Sequence, residues 1–66
     1  MTIIVNDQPR ELPRSITVAE LLRQLKLGPR GVAVEVNMQI LPRQCHAEHL
    51  LADGDRLEIV SLVGGG

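Results

Sequence analysis

A chain of 66 residues allows one domain, and a domain of that size buries only about 60% of the surface its unfolded form exposes, so a packed core and an enclosed active-site cavity compete for the same few side chains. Its 44% hydrophobic content is entirely aliphatic apart from Met and Cys; without a Phe, Trp or Tyr it lacks the stacking platforms of single-strand binders. Seven basic against eight acidic residues leave no surplus for tracking phosphates, and the single Cys45 rules out an intrachain disulfide.

Nucleic acid is therefore not an expected partner. No apolar run approaches the roughly 18 residues of a membrane span, and no signal-like apolar segment is expected at the start. The lone thiol suits a reducing compartment, so the expected location is cytoplasmic.

Thr2 to Val5 is a short β-branched run and reads as the first strand. Asn6-Asp7-Gln8-Pro9 is turn chemistry, because Asn and Asp tolerate positive φ and Pro fixes φ. A second strand is expected over Arg10 to Pro13, at the sheet edge, with Pro9 and Pro13 marking its ends. Thr17 with Glu20 forms a capping box behind Ile16, which sits where a hydrophobic staple would place it. Val18, Leu21, Leu22 and Leu25 fall on one apolar face, which predicts a helix over 18–27 stopped by Gly28-Pro29. Gly31 releases a third strand, Val32 to Val36, with the three valines on one side and Ala33 and Glu35 on the other. Asn37-Met38 turns into a short strand, Gln39 to Leu41, ended by Pro42. Within the ambiguous stretch 43–52, Gln44 to Leu51 fit one or two turns of helix or 3₁₀ structure that bury Ala47 and Leu50 or Leu51. Asp53-Gly54 is a tight-turn signal before the last strand-like run, Arg56 to Val63.

Five strand segments around one helix predict an α+β two-layer domain, because the apolar stripe of the helix must bury against a sheet face. The chain should divide into a single domain over 1–63 and a flexible Gly tail over 64–66. Glycine has no Cβ, so such a tail can lie extended in a channel too narrow for other residues. A frayed terminus is the plain alternative for three glycines. In the last strand, burial of Leu57 and Ile59 would bring Val60 and Leu62 out on the opposite face beside the tail. There they form either a partner-binding patch or the edge of the core.

Taken together, Ile3-Ile4-Val5-Asn6, Thr17-Val-Ala-Glu-Leu-Leu22, Val34-Glu-Val-Asn37, Leu41-Pro-Arg43, Asp53-Gly-Asp55 and the terminal glycines resemble the β-grasp, ubiquitin-like proteins. They most closely resemble the ThiS family of thiamin-biosynthesis sulfur carriers. The resemblance covers essentially the full length. It implies a mixed four- to five-stranded sheet with one main helix on one face. It further implies that the Gly66 carboxylate of the Gly65-Gly66 end is adenylated by an E1-like enzyme, which uses ATP and magnesium. A sulfur donor protein, such as a cysteine desulfurase or similar persulfide carrier, then converts it to a thiocarboxylate for thiazole synthase. Val60, Leu62, Val63 and Gly64 are the expected partner-binding residues. The chain itself would hold no cofactor or metal, would not be an enzyme, and would be a monomer when free. The family often carries aromatics, including one near the position of His46, and here there are none; Gly64 is an extra residue at the end.

Other candidate chemistry is weaker. Cys45, His46 and His49 suggest a metal cluster, but a structural zinc site needs four ligands, and a solvated short helix with a half-buried structural thiol accounts for all three. Asp53 and Asp55 lack the remainder of a calcium loop. Glu11, Glu20, Glu35, Glu48 and Glu58 are spread singly, with no acid/base pair. The competing functions are a carrier for molybdopterin or cysteine pathways, a ubiquitin-like protein modifier, and an interaction module without chemistry.

Overall fold

The structure is a computed structural model that describes residues 1–28 and 30–62. Strand β1 (Thr2–Val5) turns through Asn6 and Asp7, both at positive φ (50° and 68°), into β2 (Gln8–Glu11). A two-residue turn of that kind matches the twist of the strands it joins. It restarts the chain two residues earlier than the expected Arg10–Pro13 strand, so Pro9 lies inside β2 rather than before it. Val5 pairs with Gln8 at the turn and Ile4 with Pro9 beyond it. Alternate antiparallel pairs exchange no hydrogen bonds, and the missing Pro9 N–H falls at such a pair on an edge strand.

Helix α1 spans Val18–Gln24, and its N-terminus is fully accounted for. The Thr17 hydroxyl accepts from the Glu20 N–H at 3.1 Å, and the Glu20 carboxylate accepts from the Thr17 N–H at 2.9 Å. The next orphan donors are covered by a distant loop: Val18 N–H donates to the His49 carbonyl at 3.0 Å and Ala19 N–H to the His46 carbonyl at 2.9 Å. The helix ends three residues before the expected limit of 27. Leu25 is the C-cap and Lys26 turns into the left-handed region at φ 61°. Lys26 N–H then donates to the Arg23 carbonyl and Leu27 N–H to the Leu22 carbonyl. This is the Schellman pattern, with Lys in the place glycine usually takes. Gly28 is thus beyond the stop rather than part of it.

Strand β3 (Val32–Val36) turns through Asn37 and Met38, again both at positive φ, into β4 (Gln39–Leu41). The 43–52 segment holds one short 3₁₀ turn, Arg43–Cys45. Of the expected alternatives Leu50 or Leu51, it is Leu51 that is buried and Leu50 that is exposed; Ala47, expected inside, is exposed, and His46 lies inside instead. Leu51 is held there because its N–H donates to the Ile16 carbonyl at 2.9 Å. Gly54, at φ 88°, makes the turn before β5 (Arg56–Ser61), where a side chain would be strained.

The five strands form one sheet in the order β2-β1-β5-β3-β4. β5 runs parallel to β1 and antiparallel to β3, with the other pairings antiparallel. Helix α1 covers one face. Ile3, Leu12, Ile16, Val18, Leu21, Leu22, Val34, Val36, Leu51, Leu57 and Ile59 make the core, with Leu25 partly buried against it. Among the described residues, no helix is long and apolar enough to cross a membrane.

Candidate partner-docking face beside the last strand

β5 lies in the middle of the sheet, and both neighbouring hairpins hold it by their turn asparagines. On the β1 side, Asn6 Nδ2 donates to the Ile59 carbonyl at 3.1 Å, and Asn6 Oδ1 accepts from the Ile59 N–H at 2.7 Å. The side chain thereby imitates one more strand residue beyond the last parallel pair, Val5 with Leu57. On the β3 side, Asn37 Oδ1 accepts from the Arg56 N–H at 3.0 Å, and Asn37 Nδ2 donates to Asp55 Oδ1 at 3.1 Å. Both asparagines occupy the first position of a left-handed turn, a place Asn tolerates well. From sequence they read only as turn residues. Their second role was visible solely in their both sitting at that position, next to strands that flank β5.

The alternation of β5 separates its two faces. Leu57 is fully buried and Ile59 nearly so, whereas Val60 is 53% and Leu62 66% exposed. Val60 and Leu62 are therefore an exposed aliphatic pair, not a core edge. Val60 pairs across to Ala33, and Glu58 pairs across to Glu35, so an apolar step and an acidic step lie next to each other on the open sheet face. Among the described residues, neither glutamate forms an ion pair; the two salt bridges there are Arg14–Glu20 and Arg56–Asp7. Like charges placed directly opposite on a sheet are unfavourable. Leu62 N–H donates to the Gly31 carbonyl at 2.6 Å, the last described anchor of the strand. Val63 and Gly64, expected to bind a partner, and Gly65 and Gly66, expected to carry the chemistry, lie outside the described residues.

The remaining candidates take structural positions. Asp53 Oδ1 accepts from the Thr2 N–H at 2.7 Å, and Asp55 Oδ2 accepts from the Ala52 N–H at 2.8 Å, so both aspartates shape the turn. Cys45 is a free, half-buried thiol. His46 is buried at 4% exposure and His49 is half-buried, which corrects the expectation of a solvated helix carrying both. The tether of the His46 carbonyl to the Ala19 amide pulls that residue inward. Among the described residues, no group of three His, Cys, Asp or Glu side chains is arranged to hold a metal. The Glu20 carboxyl is held below its ordinary pKa. The chief cause is the Thr17 backbone N–H, with the Thr17 hydroxyl and Arg14 adding to it against partial desolvation.

A mixed sheet in this order, grasping a single helix on one face, is the β-grasp arrangement of ubiquitin-like proteins. Within that class the chain belongs to the ThiS family, whose family model matches residues 3–66. It is 39% identical to "Sulfur carrier protein ThiS" of Escherichia coli K12 over the full length of both. It is also 42% identical to a "Thiazole synthase" of Paramagnetospirillum magneticum, of whose length it spans only 20%. The crystal structure of the thiamine biosynthesis protein ThiS from Geobacter metallireducens superposes with a TM-score of 0.84 at 35% identity, covering all of both chains.

Proposed function

We propose that this chain is a sulfur carrier protein of thiamin biosynthesis, and that its working group is the carboxylate of Gly66. A terminal carboxyl group ordinarily titrates at about 3.3–3.7, so at neutral pH it is ionised and a poor electrophile until it is activated. An E1-like enzyme using ATP and magnesium joins it to AMP and releases pyrophosphate. The terminal sulfur of a donor protein's persulfide attacks the acyl carbon, and AMP leaves with the bonding pair. A thiol then cleaves the resulting acyl disulfide, which leaves the thiocarboxylate on Gly66 and a disulfide between donor and thiol. Thiazole synthase receives that sulfur. The chain supplies an electrophile and a docking surface, not a catalytic site, and binds no cofactor of its own. The setting is the cytoplasm.

The observation that carries this reading is the exposure of Val60 and Leu62 on a central, doubly clamped strand whose next residues in sequence are Val63 and the glycines. A rigid strand can deliver a narrow tail to a fixed distance from a docked face, and Gly64 to Gly66 can follow where only backbone fits. The occurrence of a 66-residue match inside a relative named thiazole synthase supports that enzyme as the sulfur's destination. The apolar step at Ala33 and Val60 beside the uncompensated Glu35 and Glu58 suits an activating partner that brings aliphatic contact and a cation.

The docking half of the proposal is tested by ATP–pyrophosphate exchange with the purified activating enzyme. Leu62→Asp should raise the carrier concentration needed for half-maximal exchange by about tenfold or more, the cost of about 1.4 kcal/mol at an interface. Unchanged concentration dependence would remove Val60 and Leu62 from the docking face.

A further inference from the structure

On the side of the molecule away from the open sheet face, a cavity of about 140 Å³ lies between α1 and the 43–50 loop, lined by Ala19, Leu22, Arg23, Leu27 and His46. Four of these present hydrocarbon, counting the stem of Arg23. The fifth is a buried imidazole whose Nδ1 and Nε2 both lack a hydrogen-bond partner in the protein. Buried polar atoms are nearly always paired, so two orphans on one ring need a reason. Its position is not slack, because the His46 carbonyl is fixed to the Ala19 N–H at 2.9 Å and the His46 N–H donates to the Arg43 carbonyl at 3.1 Å.

We infer that this cavity is a binding site for a single phenol-sized ring bearing one hydroxyl, the shape and chemistry of a tyrosine side chain. The size argument is direct, since an apolar cavity of about 150 Å³ takes up benzene. The hydroxyl requirement comes from His46. A neutral imidazole has one donor and one acceptor nitrogen, and a phenol can either donate or accept. Neither nitrogen is solvent-accessible in the free protein. Engagement therefore requires the imidazole to turn about its second side-chain torsion, which for histidine is broad and roughly two-fold. Pairing in a mostly apolar surround then relieves an atom otherwise left unsatisfied. The chain contains no aromatic side chain of the Phe, Trp or Tyr kind that could fill the space itself. The inference does not depend on the carrier chemistry.

The test uses the whole chain and two ring analogues that differ in one hydroxyl, p-cresol and toluene, followed by amide and imidazole nitrogen NMR. Saturable shifts are expected at Ala19, Leu22, Leu27 and His46, with a change at one His46 ring nitrogen for p-cresol. The p-cresol affinity should exceed that for toluene by about fivefold to tenfold, the effect of one net hydrogen bond. His46→Leu should bring p-cresol down to the toluene level, and Ala19→Leu, which fills the cavity, should abolish both. The inference is overturned by non-saturable shifts, by equal affinities in the unmodified chain, or by a preference for p-cresol that survives His46→Leu. Because no activating enzyme takes part, none of these outcomes bears on Gly66.

Discussion

The two faces of β5 carry the same kind of side chain to opposite ends. Leu57 and Ile59 disappear beneath α1, while Val60 and Leu62, one residue out of step, stand in solvent. Aliphatic chemistry alone does not distinguish them; the period of two along a strand and the single helix on one face do. The difference teaches what each pair is for. Buried leucines contribute to stability through removal from water and close packing. Exposed ones contribute nothing comparable to the free protein, which leaves Val60 and Leu62 available for the contact proposed above.

Substitution should split the two faces. Leu57→Ala should cost about 2–5 kcal/mol, measured by urea unfolding, as for other buried leucines. Domains are only about 5–15 kcal/mol stable, so this loss would remove much of the margin. Leu62→Ala should change stability by less than about 0.5 kcal/mol, like other surface changes. Equal losses at the two positions would erase the distinction between the faces.

The clamp that holds β5 in register comes next in size. Asn6→Ala leaves the Ile59 N–H and carbonyl without their side-chain partners and puts a Cβ residue without a polar side chain at φ 50°. It should destabilise by about 1–3 kcal/mol, the range for orphaning a buried polar group. It should also speed amide exchange at Ile59 more than at Leu22. Uniform exchange across both positions would mean that Asn6 does not hold the strand locally.

The smallest effect sharpens the helix side of the comparison. The Glu20 carboxylate is held below its ordinary value of 4.5, chiefly by accepting from the Thr17 N–H. The folded chain therefore binds that proton more weakly than the unfolded chain does. The capping contribution is fully present above pH 4.5 and is lost as pH falls through the lower folded value. Glu20→Gln should flatten that segment of the stability–pH curve. A curve of unchanged slope in that range would assign the acid sensitivity to other groups.

Much of this architecture was legible because the local signals were strong. Thr17 and Glu20 announced the helix start, and the alternating valines of Val32 to Val36 gave both a strand and its inward face. What failed to read did so for tertiary reasons. Lys26 adopts a left-handed cap that glycine usually takes, so the Gly28-Pro29 signal placed the helix end too late. Pro9 entered a strand because an edge position spared its missing N–H. His46 looked like a solvent residue, and the bond that the Ala19 N–H donates to its carbonyl is a tertiary contact no local pattern shows. The exposed pair Val60 and Leu62 was visible as an alternation, but which face of β5 stays open depends on the single helix covering the other.

The central claim, that sulfur is carried on the terminal carboxylate of Gly66, is tested most directly by intact-protein mass spectrometry. The chain is incubated with the activating enzyme, ATP, magnesium, a persulfide donor and a thiol that cleaves the acyl disulfide. The expected product is heavier by the difference between one sulfur and one oxygen, with the change mapped to Gly66. The Cys45→Ser form should acquire it equally, and a form lacking Gly66 should not, while its unfolding midpoint stays nearly unchanged. Sulfur gained in the absence of Gly66, or lost with Cys45→Ser, would contradict the terminal-carboxylate mechanism.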